Sequence, residues 1–112
     1  MTTIVIFKSK NTYRGFTCIG HAGYGRPGKD IVCASISILV INTINAIEEL
    51  AGEIVRIDQN EEEGFIECHF PNLINAQSKL LMDAMVMGLK NIEKNYGKRK
   101  KKTIFELIIK EV

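Results

Sequence analysis

Residues 20–37 read GHAGYGRPGKDIVCASIS, and a change of character within them decides the fold. Gly23, Gly25 and Gly28 stand with Pro27 between His21 and Lys29, a composition that forbids a helix and disfavours a strand. From Asp30 onward a period sets in. Ile31, Ala34, Ile38, Ile41, Ile44, Ala46 and Ile47 recur at spacings near three and four, which predicts a helix over residues 31–51. Asp30 is suited to cap its start, because the carboxylate can accept from the backbone N–H of Val32 or Cys33, and Gly52 is suited to close its end. Isoleucine and valine are weak helix formers, so this helix needs burial to hold it.

Working outward, residues 3–8 and 13–20 read as a strand hairpin around the polar turn Asn11-Thr12, with Phe16 and Cys18 on one face of the second strand and Thr17 and Ile19 on the other. Downstream, residues 53–59 and 65–70 alternate as a second hairpin around an acidic turn that contains Glu61, Glu62 and Glu63. Residues 73–96 carry Leu73, Ala76, Leu80, Leu81, Ala84 and Met85 at helical spacing, with Met82 and Met87 off that stripe, and Gly97 stops the helix. After the basic run Lys98-Arg99-Lys100-Lys101-Lys102, read as a solvated turn, residues 103–109 form a last strand. The order is ββαββαβ. It predicts one α+β domain over residues 1–112, two-layered, with a mixed, mainly antiparallel sheet covered by two helices.

Composition agrees and narrows the function classes. A chain of 112 residues with 46% hydrophobic residues and a net charge of +2 is too apolar and too weakly charged for a disordered tail. It buries about two-thirds of its unfolded surface without metal or disulfide staples, and it leaves no room for a cleft between two domains. Cys18, Cys33 and Cys68 make an odd count, which argues against a disulfide framework and for a reducing, cytoplasmic setting. The apolar window Ile31–Ile47 is interrupted by Ser35, Ser37, Asn42, Thr43 and Asn45, so no membrane span is expected. Cys68 and His69 are adjacent on a strand and point to opposite faces; with no partner pair at zinc spacing, no metal or other cofactor is expected.

The chemistry-bearing residues sit at the two ends of the glycine-rich loop. His21 closes a strand, and Cys33 falls in the first turn of the helix, where unpaired N–H groups and about half a unit of positive charge favour a thiolate and could hold an oxyanion. A histidine across the loop can take the thiol proton and return it to a leaving amine. A carboxylate at Asp30 opposes the thiolate and favours protonated His21. Ser37, one helical turn past Cys33, faces the same side.

The same stretch closely resembles the signature of the ribosomal-processing cysteine protease family known as Prp. That signature is G-H-A-x-Y-G-x-x-G-x-D-I-V-C-A-x-x-S, and each fixed position is met here, at Gly20, His21, Ala22, Tyr24, Gly25, Gly28, Asp30, Ile31, Val32, Cys33, Ala34 and Ser37. The motif covers residues 20–37; elsewhere the likeness is one of length and element order. The resemblance implies a cysteine endopeptidase with a Cys–His dyad that removes the N-terminal extension of the bacterial ribosomal protein bL27. The resemblance also implies a homodimer, with the loop between the dyad residues mobile until substrate binds. Cys33 is then the nucleophile and His21 the base and acid. Asp30, Ser37 and Gly20 are supporting positions, and Gly23, Tyr24, Gly25 and Gly28 belong to the substrate loop.

Two readings from other classes compete with it. One is a non-catalytic ribosome-associated module that binds through Lys98, Arg99, Lys100, Lys101 and Lys102, although the aromatic residues that would support an RNA site are not interleaved with them. The other is a redox-sensing thiol at Cys33, which gives His21 no task.

Overall fold

The computed structural model describes residues 1–20, 31–60 and 62–112. Strands β1 (Thr2–Ser9) and β2 (Thr12–Ile19) are followed by helix α1 (Ile31–Glu49), strands β3 (Arg56–Asn60) and β4 (Phe65–His69), helix α2 (Ala76–Tyr96), the two short strands β5 (Lys98–Arg99) and β6 (Lys102–Thr103), and β7 (Phe105–Glu111). The main sheet has the order β3-β4-β2-β1-β7. Its pairs are antiparallel except β1 with β7, which run parallel from Thr2↔Phe105 to Lys8↔Glu111. This is the mixed, mainly antiparallel α+β sheet that the sequence predicts, with both hairpins in place.

One face of the sheet carries the core. Ile4 and Ile6 of β1, Phe16 and Cys18 of β2, Ile66 and Cys68 of β4 and Phe105 of β7 are all buried, and they meet Ile36, Val40 and Ile47 of α1 and Met82, Met85 and Leu89 of α2. The period-2 alternation of the strands thus translates directly into burial. Helix packs on helix where Leu39 of α1 lies over Gly88 of α2, so closely that a Cβ at Gly88 would strike the Leu39 side chain.

The element ends differ from the sequence reading where long-range contacts set them. Helix α2 begins at Ala76 rather than residue 73, because Asn75 is its N-cap: the Asn75 side chain accepts from the Ser78 N–H at 2.8 Å. The Glu53 carboxylate supports this cap by accepting from the Asn75 N–H at 2.9 Å and the Ser78 hydroxyl at 2.8 Å. That task keeps Glu53 out of β3, which starts at Arg56. Leu73 and Leu80 are exposed and Met82 is fully buried, so the packed stripe of α2 runs through Ser78, Met82, Met85 and Leu89. The basic run is not a plain turn. Arg99 pairs with Lys102 around Lys100 and Lys101, whose φ angles of 51° and 69° make a two-residue hairpin of the type I′ kind.

Helix α1 divides its apolar residues between two faces. Ile36, Val40, Ile44 and Ile47 are buried, whereas Ile31 and Ile38 are 72% and 70% exposed and Ile41 is also exposed. The helix ends at Glu49, two residues early, with Gly52 beyond it at φ +66°. By length and composition this 19-residue helix, with a mean hydropathy of 1.8, matches a membrane span; here one side of it packs on the core.

At the far edge of the core, the buried Tyr13 hydroxyl donates to the Asp83 carboxylate, which also accepts from Lys79 at 3.0 Å. Burial first, then Asp83, pushes the Tyr13 phenol well above its usual range. The Tyr13 hydrogen bond holds the Asp83 carboxyl below its ordinary 3.8. A lowered carboxyl contributes stability above pH 3.8 that is lost as pH falls through the lowered value. Tyr13→Phe should therefore cost about 1 kcal/mol at pH 7, given the partial exposure of Asp83. Urea titrations should show the gap to wild type closing as pH drops below 3.8.

Candidate active site

The starts of β1, β7 and α1 meet the end of β2 at one end of the molecule. Thr2 is the knot. Its side chain is 2% exposed, its hydroxyl donates to the Gly20 carbonyl at 3.1 Å, and its oxygen lies 3.6 Å from the Cys33 Sγ. Its backbone N–H donates to the Ile104 carbonyl at 2.9 Å, just before β7. A threonine hydroxyl has one proton to give. With that proton on the Gly20 carbonyl, the Cys33 thiol is the donor to the Thr2 oxygen. Ionising the thiol removes that donor, and the Thr2 proton is then contested between the thiolate and Gly20. The residue that answers is the one that precedes His21 in the chain.

Gly20 has a structural reason to be glycine. Its φ is +76°, and a Cβ there would collide with the Met1 carbonyl oxygen. The Ser37 hydroxyl donates to the Cys33 carbonyl at 2.8 Å and so braces the first turns of α1 beneath the thiol. His21 and Asp30 lie outside the described residues, as do Gly23, Tyr24, Gly25 and Gly28 of the substrate loop, so the structure places Cys33, Ser37 and Gly20 together and is silent on the others. Thr2 is a neighbour of the thiol that sequence reasoning missed. It reads as a β-branched residue entering a strand, and no spacing links position 2 to position 33.

The three thiols differ sharply. Cys18 and Cys68 are buried in the core, and burial pushes each up to about 12. Cys33 is partly exposed. The second histidine of the chain, His69, stands on the open face of the sheet, opposite Gly15 of β2. It lines a cavity of about 490 Å³ together with Phe7, Arg14, Glu67 and Val112. Cys33 lies on the helix side, beside Gly20. Five residue steps along the chain, through the end of β2, separate that point from Gly15, about 17 Å of strand. His69 is therefore no partner for the thiol. Cys68 and His69 do fall on opposite faces, and among the described residues no three His, Cys, Asp or Glu side chains come together as a metal site.

A partly exposed thiol at a helix start, on a small α+β sheet, is the equipment of a thiol enzyme. Residues 1–101 match the family model described as cysteine protease Prp, and the chain belongs to that family. It is 32% identical over 85 residues to the ribosomal processing cysteine protease Prp of Bacillus subtilis (strain 168), covering 72% of this chain and 76% of that protein. The Prp of Staphylococcus aureus (strain Mu50) is likewise 32% identical, over 78 residues, which are 70% of this chain and 74% of that one. Among solved structures, the S. aureus ribosomal processing protease Prp in complex with a substrate peptide superposes with a TM-score of 0.84 at 26% identity, covering 98% of this chain and all of that one. The chain is thus a ribosomal processing cysteine protease by family and by fold.

The contrast among thiols has a direct readout. Brief iodoacetamide treatment of the native protein at neutral pH should add one carbamidomethyl group per chain, mapped to Cys33 by peptide mass spectrometry, with Cys18 and Cys68 modified only after unfolding. Early adducts at Cys18 or Cys68 would contradict the burial described.

Proposed function

We propose that this protein is a cysteine endopeptidase that removes the N-terminal extension of ribosomal protein bL27, with Cys33 as nucleophile and His21 as general base and acid. The observation that carries the dyad is one of elimination supported by placement. Of the three cysteines only Cys33 is not sealed in the core, and of the two histidines His69 is on the wrong face of the sheet. His21 follows Gly20, whose carbonyl is joined through Thr2 to the Cys33 sulfur.

In the reaction His21 takes the Cys33 proton and the thiolate attacks the scissile carbonyl carbon. N–H groups at the start of α1 stabilise the oxyanion. As the C–N bond breaks, His21 returns the proton to the leaving amine, and a thioester remains on Cys33. Water, deprotonated by His21, then releases the acid product and the free thiol. Asp30 is assigned to favour protonated His21, and Gly23, Tyr24, Gly25 and Gly28 are assigned to the segment that meets the substrate. A reducing cytoplasm keeps Cys33 available. A peptide substrate is supported by the S. aureus structure, which is of the protease in complex with one.

A second copy of this chain is the proposed partner of α1. Ile31, Ala34, Ile38 and Ile41 are exposed at spacings of three, four and three, the seam of a pair of helices in a coiled coil. Pairing α1 with its counterpart buries this row and brings each Cys33 near the shared surface, where the second chain supplies a wall for the substrate.

Two measurements test these readings. A peptide spanning the extension of bL27 should be cut by the wild type, with mass spectrometry locating the bond. Cys33→Ala and His21→Ala should each lower the rate by at least about a thousandfold; an uncut peptide with the wild type would overturn the substrate assignment. Ile38→Asp should convert a dimer to a monomer in sedimentation velocity, and an unchanged sedimentation coefficient would place any interface elsewhere.

A further inference from the structure

The net charge of +2 conceals a strong separation. Residues 90–102 hold seven basic side chains and one acidic one, a local charge of +6, so the rest of the chain sums to −4. The densest part of the basic segment is the β5–β6 hairpin, where Lys98, Arg99, Lys100, Lys101 and Lys102 are all exposed. Among the described residues none of these five takes part in an ion pair, and the nearby Glu93 carboxylate is occupied by the Leu107 N–H at 2.7 Å.

Three features show what the hairpin is shaped to meet. First, its tip is costly. Lys100 and Lys101 both hold positive φ, where Asn-Gly would sit more easily, and such positions cost of order 1–3 kcal/mol each. Lysines kept there hold two charges at the exposed tip of the hairpin. Second, the chain fold supplies the aromatic that the basic run itself lacks: Tyr96, 60% exposed at the end of α2, lines a small cavity of about 150 Å³ with Lys98 and Arg99. Third, the same cavity is walled by Ile31 and Val32, the two residues before Cys33, and by Ile104. The base of the hairpin is also anchored, since the Gly97 carbonyl accepts from the Ile104 N–H at 2.7 Å.

We infer that the β5–β6 hairpin, with Tyr96 at its base, is an RNA-docking arm that holds the protease against the phosphate backbone beside its substrate and brings the start of α1 to the cleavage site. This rests on the processing reading above, since an arm of this kind is useful to a protease whose substrate is met on RNA. Flexible cations around an exposed ring fit a strand that offers regularly spaced phosphates and bases to stack. An acidic polypeptide would use the charges and leave the ring idle.

The test is anisotropy of a labelled single-stranded RNA of about 20 nucleotides, with the whole protein. If the arm neutralises about four phosphates, affinity should fall about 50-fold between about 50 and 200 mM salt. The variant Lys100→Asn/Lys101→Gly removes two charges and also relieves the positive-φ tip, so its thermal midpoint should stay level or rise. Its RNA affinity at about 50 mM salt should nevertheless drop about tenfold, with a shallower salt slope. Tyr96→Leu should weaken binding further, while Tyr96→Phe should preserve it. Free-peptide cleavage by the double variant should match wild type. RNA affinity equal in wild type and double variant would overturn the inference. So would a polyglutamate peptide that binds as tightly as RNA at the same salt. Failure of the wild type to cut a free bL27 peptide would strike the processing reading alone, because RNA binding is read without it.

Discussion

The structure depends on β1 being held from both sides. Antiparallel β2 and parallel β7 flank it, its alternate residues Ile4 and Ile6 anchor the core, and its first residue reaches the reactive end of the molecule. Thr2 makes this useful. From one position it fixes the end of β2 through Gly20, the approach to β7 through Ile104, and the start of α1 through the Cys33 sulfur. A thiol near the end of a helix would otherwise be free to fray with the helix terminus. Here it is tied to the most constrained strand of the sheet.

A small α+β fold offers few places for chemistry, and this one gathers its candidate functional groups at one end. The helix start, the end of β2 and the basic hairpin adjoin, with Ile31, Val32 and Ile104 as the packing between thiol and hairpin. The opposite end of the sheet face holds the cavity around Gly15 and His69. Charge follows a related division: carboxylates gather along the β3–β4 edge, at Asp58, Glu62, Glu63 and Glu67, and cations in the β5–β6 hairpin that leads into β7.

Much of the fold was legible because its strands alternate cleanly. Phe16 and Cys18 against Thr17 and Ile19 fixed both the strand and its buried face, and the glycine-rich break followed by the isoleucine period fixed the strand-to-helix change. What escaped the sequence was decided by tertiary contacts. The start of α2 depends on Glu53, more than twenty residues away in the chain, reaching the Asn75 cap. The two-sided apolar character of α1 hid which isoleucines pack inward, since both faces satisfy a helical period. The β5–β6 hairpin lacks the Asn-Gly signature of its turn because lysines occupy it at a conformational cost. At the site, the position of Cys33 at a helix start was readable from the motif and the isoleucine period that follows it. Thr2 was not, because only the sheet brings residue 2 to residue 33.

The parallel pairing of β1 with β7 has a consequence for how the protein comes into being. Thr2 lies opposite Phe105, so the earliest strand to leave the ribosome finds its neighbour only when residues 105–111 have been made. A contact of this sequence separation is slow to form and late to be rewarded. Until it forms, the Thr2 backbone lacks Ile104 and the surroundings of Cys33 are unfinished. The surroundings of Cys33 are therefore completed last, and a nascent chain carries the thiol without its finished setting. Order of synthesis thus decides when the setting of this thiol is complete, through strand topology alone.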